Sequence, residues 1–137
     1  VRLQPFVDRL KGAGLPHVYG VMEFAGLKAA PAGQSFYVVP EREAASPNSL
    51  SGQHAIDQKV EQAFMVVIVL PAAARRAEAI SEALEEAVQA VIRAIAGWTH
   101  PDASRACELA GGRLLSADGS MMAWGVTFRT AWRLRLT

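Results

Sequence analysis

The side chains in this sequence that could attack a carbonyl group or hold a metal ion are three histidines, one cysteine and scattered serines. His17, His54 and His100 stand too far apart for metal-ligand spacing, and Cys107 has no second thiol for a zinc site, a redox pair or an internal disulfide. No serine lies in a Gly-x-Ser-x-Gly elbow followed by acid and histidine partners. Gly111-Gly112 lacks the glycine spacing and following lysine of a phosphate loop, so a strand bend or bulge is the reading. These residues predict no catalytic centre, no metal site and no cofactor. The protein is therefore read as a non-enzyme.

Charge is the remaining chemistry. Lys plus Arg total 14 against 13 Asp plus Glu, which excludes a strongly basic nucleic-acid coat or an acidic disordered tail. Placement is uneven: Arg105, Arg113, Arg129, Arg133 and Arg135 face only Glu108 and Asp118 in the last quarter of the chain. Alternation puts Arg129, Arg133 and Arg135 on one face of a final strand. That face is open to three readings: a solvated surface, ion pairs to a neighbouring subunit, or contacts to phosphate. No aromatic residue interleaves with the arginines, which argues against base stacking on single strands.

These residues need a scaffold, and 137 residues with 51% apolar and 20% charged side chains suit one domain spanning 1–137. The longest apolar run, 63–74, is broken by Pro71 and falls short of the roughly 18 residues that span a bilayer, so no membrane partner is expected. The sequence begins with no basic region leading into an apolar core, which leaves secretion unsupported.

Residues 5–11 predict a short helix with Pro5 in its first turn, and 73–96 predict a long one that Gly97 stops. Residues 17–24 read as a strand and 26–30 as irregular chain. Four longer strands are expected at 35–39, 56–70, 107–116 and 121–136, the last two joined by an Asp118-Gly119 turn. Pro40 closes the first of them, and the polar residues 41–53 read as a flexible, partner-binding loop. The fold class is α+β: a mainly antiparallel sheet of about four strands with one long and one short helix packed on one face. Its expected core is Ile80, Leu84, Val88, Val91, Ile95, Phe64, Val66, Ile68, Trp124, Phe128 and Trp132.

The order of several short patterns carries a resemblance. Tyr37-Val-Val-Pro40, a polar loop, Gln58-x-x-Glu61-x-x-Phe64-x-Val66, a long helix ending in Gly97-Trp98, Gly111-Gly112 before a strand, and Trp124-x-x-x-Phe128 follow one another. From about Phe36 to Phe128 the chain resembles the tail terminator (tail completion) proteins of long-tailed bacteriophages and prophages. Pro101 follows Trp98 at a spacing that matches the pattern only approximately.

The resemblance implies a structural virion protein, assembled in the bacterial host cytoplasm and located in the virion tail. It implies a homo-oligomeric ring, typically a hexamer, on the head-proximal end of the tail tube. Such a ring ends tube polymerisation, meets the tail-tube protein, offers a surface to the head-tail connector, and lets DNA pass without specific recognition. A lumen lined with arginines would hold DNA back, so the arginine face is expected to meet protein. Glu41, Glu43, Asn48, Asp57, Glu61, Arg129, Arg133 and Arg135 are the candidate residues of a subunit or tail-tube interface. Two rivals are another head-tail connector or tail-tube subunit, and a small enzyme or ligand-binding domain with its pocket between the sheet and the long helix.

Overall fold

In the computed structural model, which describes residues 1–27, 31, 33–50, 54–73 and 75–137, three helices and five strands make an α+β fold. They run α1 (Gln4–Gly12), β1 (Val18–Tyr19), α2 (Val21–Ala25), β2 (Ser35–Ala45), β3 (Ile56–Pro71), α3 (Ala77–Ile95), β4 (Glu108–Ala117) and β5 (Met121–Leu136). The strands form one mixed sheet in the order β1-β2-β3-β5-β4, with β1 parallel to β2 and the other neighbours antiparallel. The four long strands and the two longer helices answer to the patterns in the sequence, except that α3 begins at Ala77 and not at residue 73.

The region before β2 departs from expectation. Of residues 17–24, only Val18 and Tyr19 are strand, paired with Phe36 and Tyr37; the chain then turns into α2. Glu23 accepts a hydrogen bond from the Gly20 nitrogen at 3.2 Å, putting a carboxylate at the start of the helix where the backbone N–H groups are exposed. A two-residue parallel pairing leaves no alternation to read. α2 lies on the sheet face opposite α1 and α3, so the helices are not all on one side as expected. Residues 28–30, read as irregular chain, lie outside the described residues.

Pro40 does not end β2, which continues to Ala45 and takes in Glu41–Ala45 of the segment read as a loop. Phe36 N–H points to the β1 side, donating to His17 O at 2.9 Å, and strand periodicity turns the Pro40 nitrogen the same way. β1 flanks only Phe36 and Tyr37, so the missing donor faces no strand partner and the ladder to β3 survives. The register then shifts between Pro40 and Arg42, leaving Glu41 as the extra residue of a bulge. Beyond the strand, Ser46 N donates to Lys59 O at 2.8 Å and Ser49 N to Asp57 O at 2.9 Å. Residues 51–53 of the expected loop lie outside the described residues, as does Ala74 of the expected long helix.

The turn and bend signals hold. Asp118 Oδ1 accepts from the nitrogens of Ser120 at 2.7 Å and Met121 at 2.9 Å, closing the β4–β5 hairpin. The register of β4 shifts between Leu109 and Gly111, and Gly111 has φ +155°, a conformation that side-chain-bearing residues rarely adopt. Gly97, at φ +83°, follows the last turn of α3.

Each face of the sheet carries its own core. On the first, Phe36, Val38, Phe64, Val66, Ile68, Val126 and Phe128 are buried beneath Phe6, Val7 and Leu10 of α1 and Ala87, Val91, Ala94 and Ile95 of α3. Phe6 stacks on Phe64 at 3.9 Å between ring centres, and Phe64 on Phe128 at 5.6 Å. Burying each such ring contributes about 1.5–3 kcal/mol. Ile80, Leu84, Val88 and Trp124 are half-buried at the margin of this core. Trp132, expected within it, belongs to neither core: it shares the face but lies along the strand from the helices, and its indole donates to Glu43 Oε2 at 3.3 Å. On the second face, Tyr37, Met65, Val67, Val69 and Ala123 are buried with Phe24 and Leu27 packed against them.

Candidate functional site

The second face of the sheet changes character along its length. Where β3 carries Met65, Val67 and Val69 it is apolar and covered; toward the start of β3 the same face carries Ala63, Glu61, Lys59 and Asp57. Pairing sets the charges in rows. Arg42, Ala63 and Arg129 lie side by side across β2, β3 and β5, followed by Ala44, Glu61 and Ala131. Lys59 then pairs with Arg133, and Asp57 with Arg135. With strands about 4.8 Å apart, two guanidinium groups straddle the small side chain of Ala63. Arg42, Ala44, Glu61, Gln62, Ala63 and Arg129 line a shallow depression there.

Most charges on this surface have partners within the chain. Arg133 Nε donates to Asp57 Oδ1 at 2.6 Å, and Arg135 approaches the same oxygen at 3.7 Å. The hydrogen bond from Arg133 holds the Asp57 carboxyl below its ordinary pKa, with the charges of Arg133 and Arg135 acting the same way. Lys59 meets Glu61 at 3.2 Å. Arg129 reaches Glu108 at 3.7 Å, sharing it with Arg105 at 3.3 Å. Thr127 Oγ1 donates to Glu41 Oε2 at 3.2 Å.

Of the eight residues singled out from the sequence, six share this face: Glu41, Asp57, Glu61, Arg129, Arg133 and Arg135. Glu43 is on the opposite face beside Trp132, because the bulge at Glu41 reverses the side-chain alternation of β2. Asn48 fastens the β2–β3 connection: its Oδ1 accepts from Asp57 N at 2.8 Å and its Nδ2 donates to Ala55 O at 3.2 Å. Sequence reasoning missed Arg42, which is exposed and has no ion pair among the described residues. Only the bulge places it beside Arg129, and a strand ended at Pro40 hides that pairing.

Of the side chains weighed for chemistry, His100 and Cys107 have structural places, whereas His17 and His54 are exposed. His100 is fully buried: its Nε2 bonds Arg2 O at 2.7 Å and its Nδ1 accepts from Asp102 N at 2.8 Å. Burial lowers its pKa, and the hydrogen-bonded Arg2 guanidinium holds Asp102 well below the usual carboxylate range. Cys107 is buried, which pushes its thiol up to about 11. The cleft between α3 and β4 is lined by Val88, Ile92, Leu109, Trp124 and Val126 with Gly111 and Gly112. That lining lacks the convergent polar groups a ligand pocket needs. Among the described residues no group of three or more His, Cys, Asp or Glu is placed to hold a metal ion. None of the described helices is long and apolar enough to cross a membrane.

The family described as phage tail terminator protein matches residues 2–137. No curated protein matches the chain. Among solved structures, the chain is similar to one from the virion of native gene transfer agent (GTA) particle, at 21% identity and a TM-score of 0.42. That alignment covers 91% of this chain and 84% of the other.

Proposed function

Because the chain belongs to the phage tail terminator family, with a structural role in the virion tail, we propose that it caps the head-proximal end of the tail tube as a closed ring. Six copies encircle the tube end, stop further polymerisation of the tube protein and offer the opposite rim to the head-tail connector. DNA passes through the lumen without being read. Assembly takes place in the cytoplasm of the bacterial host. Each copy acts as a single domain over residues 1–137.

The observation that carries this reading is the open half of the sheet. A chain able to bury every residue of β3 from 62 to 70 leaves the start of that strand charged and uncovered on one face. Fixed positive and negative groups in register suit recognition of another protein surface, where they set orientation and exclude wrong partners. Asp57, Glu61, Arg129, Arg133 and Arg135, with Glu41 at the rim, form that surface; Asn48 and Glu43 support it from the connection and the far face.

Electron microscopy of tails from cells deprived of this chain tests the reading. Tails should be abnormally long or unable to join heads, and supplying the chain should restore native length. Tails of native length joined to heads would overturn it. Short tubes that never elongate would instead assign the chain to the tube itself.

A further inference from the structure

A stripe of carboxylates and a pair of guanidinium groups lie on opposite faces of the sheet. α3 carries Glu78, Glu82, Glu85 and Glu86 against Arg93 alone, and all five are exposed. Steps of three and four residues align the glutamates in one stripe. Arg76 approaches Glu78 at 3.8 Å and Gln89 donates to Glu85 at 3.3 Å, while Glu82 and Glu86 make no ion pair among the described residues. Across the sheet, Arg42 is likewise without an ion pair there, and Arg129 has only its share of Glu108 at 3.7 Å. α3 packs on the face of Phe64 and Val66, whereas the two arginines flank Ala63 on the other. No side-chain movement within one chain brings the two surfaces together.

The geometry points to a second copy of this chain as the occupant: the Arg42, Ala63, Arg129 row of one copy receives the glutamate stripe of α3 from the next. This inference rests on the ring reading and gives the contact that builds the ring. Ala63 and Ala44 are small, so carboxylates on a helix can approach between the two guanidinium groups, which bind a carboxylate through paired N–H donors. The two guanidinium groups flank Ala63 as an isolated pair and do not form a continuous basic track, so discrete protein carboxylates are the fitting ligand rather than a run of phosphates. Donor and acceptor surfaces differ, so the contact is head-to-tail: each copy uses its sheet toward one neighbour and its helix toward the other. Such a contact closes into a ring when its rotation divides the circle.

Charge exchange between two full-length chains tests this. One carries Arg42→Glu with Arg129→Glu, the other Glu82→Arg with Glu86→Arg, and each is supplied to cells lacking the native chain. Either alone places like charges at every contact, and completed tails should fall at least tenfold. Supplied together, every contact between unlike chains is matched again, and tails of native length joined to heads should reappear. Native completion by either variant alone overturns the proposal, as does failure of the mixture when each chain has a thermal midpoint within a few degrees of the native one. If a reversed chain does not fold, Arg42→Gln with Arg129→Gln replaces it: completion at the native level overturns the contact, and lost completion by a folded chain supports it. The native chain separates the two readings. If it fails to restore tails in the same cells the cap itself is wrong; if it restores them while the exchange fails, only this contact is wrong.

Discussion

The two ends of the sheet are made by the same strands and differ in what covers them. Where β3 passes Phe64–Leu70, α1 and α3 lie on one side and α2 on the other, and every residue of that stretch is buried. Where β3 passes 56–61, alternation persists but cover thins, and Val60 alone is buried. Asp57, Lys59 and Glu61 face outward on one side, and on the other Trp132 and Leu134 are only half-buried while Leu136 is 55% exposed. A continuous strand thus joins a region that stabilises the fold to one that contributes little to it and presents an ordered surface. Apolar area taken from water dominates stability, whereas exposed ion pairs are screened and cost side-chain freedom.

Four measurements would break or sharpen that contrast. Truncation at the closed end has the largest effect: Phe128→Ala should cost about 3–5 kcal/mol in chemical denaturation, because its ring is fully buried between strands and helices. Trp132→Ala, on the same face of the same strand at the open end, should cost far less, and an equal loss would erase the distinction. Next is Gly125→Ala, whose added Cβ collides with Met65 Sδ and should destabilise by about 1–3 kcal/mol. Combining it with Met65→Ala should give less than the sum of the two single losses.

Smaller still is the titration of His100. Its pKa is lowered by burial, so below about pH 6.5 the unfolded chain binds a proton that the folded chain refuses. Stability should fall as pH drops from about 6.5 toward the folded pKa, and the thermal midpoint of a His100→Gln chain should depend less on pH across that range. The smallest effect belongs to the open end. Asp57→Asn should lower the midpoint at neutral pH only slightly, because the Asp57–Arg133 pair is screened by solvent. The contribution of Asp57, whose pKa is lowered, is present above its unfolded value and is lost only as pH falls through its folded one.

What the sequence made legible follows the length of each signal. β3, β5 and α3 span 16, 16 and 19 residues, long enough for a period of two or of 3.6 to dominate any single exception. β1 and α2, of two and five residues, are held by pairing with β2 and by packing on Tyr37, which no local pattern encodes. Pro40 ends a strand only if its nitrogen faces a partner, and that depends on how far β1 reaches. Trp132 exposes a different limit: alternation tells which face a side chain takes, not whether anything covers it. On the candidate surface, Arg129, Arg133 and Arg135 were legible as one face of one strand. Their in-chain partners and the neighbouring Arg42 depend on register across three strands and on the bulge at Glu41.

The central claim is that the open end of the sheet serves assembly and not folding, and tail completion by the chain carrying Arg42→Glu with Arg129→Glu tests it most directly. The account predicts a thermal midpoint lowered by no more than a few degrees, from the repulsion between Glu108 and the carboxylate introduced at position 129, together with overlong or headless tails in cells that depend on the variant. Tails of native length joined to heads would contradict it.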